Sequence, residues 1–120
     1  MTIRDALDAE LTAALRRRDT AVVRAVRSAL SALSNAQSRP DVTHSTTSTG
    51  SPEVAGAVSG LAATEAPRVH VTEAQQQAIV RTEIAELGSH AERLARLCRW
   101  DEADGARRGM QTLARVLDDV

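Results

Sequence analysis

Apolar residues recur at helical spacing in four stretches of the chain, and each stretch begins beside residues that start helices. Ile3, Leu7, Leu11 and Ala14 with Leu15 form one stripe, preceded by Thr2 with Asp5 three positions later, which predicts a helix over about 3–18. Val22, Val26, Ala29, Leu30 and Leu33 form a second, with Asp19 or Thr20 as its cap, over about 20–37. Only "RRRD" separates the two, a break short enough to force an antiparallel hairpin. Val80, Ile84, Leu87, Ala91, Leu94 and Cys98 advance by alternating fours and threes and predict a long helix over about 72–98, with Thr72 as capping hydroxyl. Ala103, Ala106, Met110, Leu113 and Leu117 predict a last helix over about 101–118. Asp101 is its expected cap, with Glu102 and Asp104 in the favourable first turn, so the joint falls at Arg99 and Trp100.

Between the second and third stripes, over about 38–71, the periodicity fails. "SRPDVTHSTTSTGSPE" is too rich in Ser, Thr, Gly and Pro to bury much apolar surface and reads as a mobile linker. Within it "EVAGAVSGLAAT" fits either a short helix, weakened by Gly56 and Gly60, or an extended cover on the bundle. The expected fold is therefore all-α, a single domain over 1–120 in which four main helices form two antiparallel hairpins in a small bundle.

Composition narrows the chemistry. With one Trp and no Phe or Tyr, the core is built from Leu, Val, Ile and Ala, and base stacking on aromatic platforms is excluded as a binding mode. Net charge is −1, but residues 1–39 carry seven Arg against four acids, whereas residues 72–120 carry seven against nine, so the first two helices are the basic end. All 15 basic residues are Arg, a bias that reads as codon usage in a GC-rich bacterial genome. One cysteine allows no internal disulfide and no Cys/His cluster. The N-terminal "MTIRDALDAEL" has no apolar run of the signal or membrane kind, so a cytoplasmic protein is expected.

Among candidate sites, Cys98 as a nucleophile would need a lowered pKa, yet it lies near a helix C-terminus, whose dipole disfavours a thiolate. Its place on the apolar stripe reads as packing, and Trp100 reads as a hydrophobic plug at the joint. His44, His70 and His90 are scattered, the acid pairs look like solvated helix ends, and no metal or cofactor is implied. The best functional cluster is Arg16, Arg17, Arg18, Arg24 and Arg27, which the hairpin gathers near one end as a cationic surface able to bridge phosphates. The competing reading is a solvated face whose guanidiniums pair with Asp19, Asp8 or Glu10.

The order of "IRDALDAELTAALRRRDTAVVRAVRSALSALSNAQ", "VAGAVSGLAATE", "TEAQQQAIVRTEIAEL" and "ARLCRWDEADGARRGMQTLARVL" resembles the YqeY-like proteins, whose GatB/YqeY domain also forms the tail of the aminoacyl-tRNA amidotransferase. Arg27 in "VRSAL", Asn35 and Ala36 in "SNAQ", and "RWDEAD" are the most specific pieces. The resemblance implies paired helical hairpins and a non-catalytic adaptor, with transfer RNA or amidotransferase subunits as partners, the chemistry lying in other subunits. The alternative is a protein-interaction or self-association module with no RNA role. Three features depart from the family pattern. The chain ends at Val120, where relatives continue into a second helical unit; Leu87 and Leu94 stand where an Arg and an aromatic are typical; and Cys98 stands at a turn position that is typically Gly. Cys98 therefore implies either a differently shaped turn or a helix that runs on.

Overall fold

The computed structural model describes residues 1–38 and 69–120, and among them the chain is helical, with no strand. The helices are α1 (Ile3–Arg17), α2 (Thr20–Ser38), α3 (Glu73–Arg96) and α4 (Trp100–Asp119). The expected linker mobility and the "EVAGAVSGLAAT" segment lie outside the described residues. Two units are distinguished. One comprises Met1–Ser34 with Thr72–Val120, and the other Asn35–Val71. Within the second, the Val69 N–H donates to the Gln37 carbonyl at 2.8 Å.

Helix starts follow the polar signals. Thr2 caps α1 in a reciprocal box: the Asp5 N–H donates to the Thr2 hydroxyl at 3.2 Å, and the Thr2 N–H donates to the Asp5 carboxylate at 3.3 Å. The Thr2 hydroxyl first, and then its backbone N–H, hold the Asp5 carboxyl below its ordinary value. Thr72 and Gln75 repeat the device at α3, at 3.1 and 2.8 Å. Asp19 caps α2, taking the Val22 N–H on Oδ1 at 3.4 Å.

Both hairpins turn in the same way. At the first, the Asp19 N–H donates to the Ala14 carbonyl and the Arg18 N–H to that of Leu15, with Arg18 left-handed at φ 58°. At the second, the Arg99 N–H donates to Leu94 and the Cys98 N–H to Ala95, with Cys98 also at φ 58°. This is the Schellman pattern, whose left-handed residue is usually Gly. Cys98 therefore occupies a glycine-type conformation, and the turn keeps its shape without Gly.

Three expectations at this joint are corrected. Cys98 is exposed rather than packed, because α3 ends at Arg96 and the reversal at Cys98 carries its side chain off the stripe. Trp100 is 59% exposed rather than buried at the joint, and stands at the first position of α4 beyond the turn. Asp101 does not cap α4: the residue before the helix is Arg99, without a side-chain cap, and its guanidinium pairs with Glu102 at 2.7 Å.

Side-chain contacts orient the helices of the larger unit. Arg4 near the start of α1 reaches Ser34 late in α2 at 3.4 Å, so these helices run antiparallel. The Ile3 N–H donates to Glu73 at 2.8 Å, which places the starts of α1 and α3 together and satisfies a donor that the helix itself leaves open. Ser28 of α2 donates to Glu83 of α3 at 2.9 Å. Ile3, Leu7, Val22, Val26, Leu33, Val80, Leu113 and Val116, drawn from all four helices, lie in one aliphatic core.

The buried face of α4 is rotated from the expected stripe. It comprises Ala103, Gly105, Gly109, Thr112, Leu113 and Val116, while Ala106, Met110 and Leu117 are only half-buried. Gly105 and Gly109 lie against Ala21 and Ala25 of α2, so close that a Cβ added at Gly109 would stand 2.7 Å from the Ala25 Cβ. The two pairs advance together by four, which makes α2 and α4 parallel and in register over this crossing.

Candidate functional site

Thr20, Val23, Arg24 and Arg27 share one face of α2, since residues three and four apart are neighbours on a helix. The left-handed turn brings Arg18 to the end of that face, and Leu15 of α1, 47% exposed, completes a groove of about 600 Å³. Leu15 and Val23 give its lining an apolar part, and Arg18, Arg24 and Arg27 a cationic one. Among the described residues no acid pairs with these three. A groove whose guanidiniums have no acid partner among the described residues, beside apolar side chains, suits a phosphate or carboxylate carried on a less polar body.

The five predicted arginines thus divide. Arg18, Arg24 and Arg27 come together in the groove, and Arg16 is exposed outside it. Arg17 faces another way, donating to Glu10 at 3.3 Å, one of the pairings that the solvated-face reading expects. Asp19, the other acid of that reading that finds a partner, pairs instead with a residue of α4.

That pairing belongs to a network that the sequence pattern does not reveal. Glu10, 14% exposed at its side chain, accepts from Arg17 and also forms an ion pair with Arg115 at 2.9 Å. Asp19 takes both Nε and Nη2 of Arg108 at 3.4 Å. That guanidinium, together with the Val22 N–H and a nearby Arg17, outweighs partial burial and holds the Asp19 carboxyl below its ordinary value. Arg17, Asp19, Arg108 and Arg115 line a cleft of about 370 Å³. Here each guanidinium already faces an internal carboxylate, so the cluster ties α4 to α1 and to the first turn. Its only signal in sequence is matched spacing: Glu10 to Arg17 and Arg108 to Arg115 are each seven residues, two helical turns. Spacing of that kind does not say which helices will face each other.

A third concavity of about 440 Å³ opens between α2 and the second hairpin. Ala21, Ala25, Leu87, Leu94 and Ala106 give it apolar walls, with Arg24 and Asp101 also lining it. Arg24 and Thr20 line this cleft and the cationic groove alike.

Cys98 is exposed on its turn, and no group of three or more His, Cys, Asp and Glu of the described residues gathers as metal ligands. His70 and His90 are exposed, and His44 lies outside the described residues. No described helix is long and apolar enough to cross a membrane. No family model, curated protein or solved structure matches the chain.

Proposed function

We propose that the chain is a non-catalytic helical binding module of the YqeY-like type, whose first hairpin holds the phosphate backbone of transfer RNA. The observation that carries this reading is the groove of Arg18, Arg24 and Arg27, free of acid partners among the described residues, beside a neighbouring network in which every guanidinium faces a carboxylate. The order of sequence motifs points the same way and supplies the link to amidotransferase systems. The scarcity of aromatics favours backbone contact over base stacking.

Filter binding of bulk transfer RNA across a salt series tests the reading. Three neutralised phosphates give a log–log salt slope of about −2 to −3, or roughly a thirtyfold loss between 50 and 200 mM salt. Replacing Arg18, Arg24 and Arg27 together by Ala removes that slope. Absence of binding at low salt, or a slope of zero in the unaltered protein, overturns the proposal.

A second reading, an adaptor that binds protein, is favoured by Leu97 and Trp100, exposed by 66% and 59% at the second joint. A strict monomer by light scattering that captures no partner in pull-down counts against it.

A further inference from the structure

We infer that the cleft between α2 and the second hairpin is a nucleotide pocket, in which one unpaired nucleotide lays its base while its phosphate lies on Arg24. The inference rests on reading the Arg18, Arg24 and Arg27 groove as a phosphate surface, and it adds a base-holding site that this reading does not require.

The cleft has the attributes of a ligand site rather than a packing defect. Its volume of about 440 Å³ falls within the roughly 300–1,000 Å³ of small-molecule sites. Its apolar walls are Ala21 and Ala25 of α2, Leu87 and Leu94 of α3 and Ala106 of α4, beside the close crossing of Gly105 on Ala21. An aliphatic cleft accepts a ring by apolar contact, without an aromatic partner.

Charge sets the ligand's orientation. Two lining residues of opposite sign, Arg24 and Asp101, have no ion-pair partner among the described residues, whereas Glu102 is taken by Arg99 and Arg108 by Asp19. The register of Ala21 on Gly105 places Arg24 seven residues beyond Asp101 along the parallel helices, a separation of about 10 Å at the backbone. The cleft therefore has a cationic group at Arg24 and an acceptor at Asp101, with His90 of α3 and Ser28 of α2 also in its lining. A free amino acid carries both charges on one carbon and leaves the apolar middle empty. A nucleotide presents phosphate at one end, a flat ring in the middle and, on adenine, cytosine or guanine, an exocyclic amine at the other end for Asp101 to accept. Arg24 decides between this and a short peptide of similar length. It is shared with the adjoining groove, where Arg18 and Arg27 continue the line of cations that a phosphodiester chain would follow out of the pocket.

Backbone-amide NMR of the full chain, titrated separately with AMP, CMP, UMP and inorganic phosphate, tests the pocket. AMP and CMP are expected to shift the amides of Leu87, Gly105 and Ala106. UMP, lacking the amine, binds about tenfold more weakly, the value of one lost hydrogen bond near 1.4 kcal/mol. Phosphate alone moves only Arg18, Arg24 and Arg27. Ala106→Leu fills the slot from a half-buried helical position, abolishing the AMP shifts while leaving the salt slope for transfer RNA intact. If phosphate shifts the three arginines but no nucleotide reaches Leu87 or Gly105, the pocket is overturned and the phosphate groove stands. If phosphate and transfer RNA both fail to bind, the groove reading falls as well. AMP shifts that persist in Ala106→Leu, or occupation of the cleft by a short peptide while nucleotides leave it unmoved, also overturn the pocket.

Discussion

Two residues hold a conformation that their side chains resist. Arg18 and Cys98 both sit at φ 58°, where an L-residue with a Cβ is disfavoured by about 1–2 kcal/mol relative to right-handed backbone, and where Gly is not penalised. Cys98→Gly and Arg18→Gly are each expected to stabilise the fold by about 1 kcal/mol, read as a higher urea midpoint with unchanged slope. Cys98→Ala, which keeps the Cβ, leaves the midpoint nearly where it was. The same turn explains why periodicity misplaces the thiol. The stripe from Val80 to Leu94 is real, but extending it four residues to Cys98 assumes a helix that has already ended.

Asp19 joins two roles, N-cap of α2 and partner of Arg108. Its carboxyl is held below the ordinary value of 3.8 in the folded state, so folding favours the ionised form. The resulting stability is complete above that ordinary value and is lost as pH falls through the lowered folded value. Asp19→Asn preserves a capping oxygen but not the charge. It is expected to cost a fraction of the roughly 1 kcal/mol that exposed pairs reach, a deficit that closes as unfolding is measured from neutral pH down to strongly acid solution. A deficit unchanged in acid would assign the effect to the cap alone.

At the scale of elements, the crossing of α2 and α4 depends on having no side chain at Gly105 and Gly109. In a free helix Gly→Ala stabilises by about 1 kcal/mol. At Gly109 the new Cβ would stand 2.7 Å from that of Ala25, a separation that real contacts do not tolerate, so the helices must part. Gly109→Ala is therefore expected to destabilise by about 1–3 kcal/mol, partly rescued in the double variant with Ala25→Gly. Gly88 is the contrast. Its added Cβ meets the Met110 sulfur at 3.2 Å, the end of a flexible side chain that can move aside, so Gly88→Ala is expected to stabilise. Thermal unfolding of the three variants separates propensity from packing.

Across the larger unit, Leu113 is fully buried among residues of α1, α2 and α3, so the two hairpins share one core. Leu113→Ala is expected to cost about 2–5 kcal/mol and to lower the melting of both hairpins together. Circular dichroism and hydrogen exchange of α1 amides check this, because hairpins that melt separately would leave α1 protected. The asymmetry of charge also belongs to this scale. The basic first hairpin is countable from sequence, but its arginines acquire different meanings only in three dimensions. Arg17 is drawn to Glu10 and towards α4, while Arg18, Arg24 and Arg27 are left on the separate groove.

Neighbouring letters were enough to specify the helices: their number among the described residues, the starts of the first and third at Thr2 and Thr72, that of the second at Asp19 or Thr20, and the short hairpin connection at "RRRD". These follow from periodicity and capping, which act within one or two turns of chain. Which face of α4 is buried, that Asp19 and Glu10 bind arginines from α4, and that Arg24 and Arg108 each border two clefts were settled by packing between helices distant in sequence. A stripe of apolar letters marks the large side chains, whereas helices approach most closely where side chains are absent. Gly105 and Gly109 therefore drew α4 onto α2 along a face that hydrophobicity does not mark, and that rotation carried Arg108 and Arg115 to their acids.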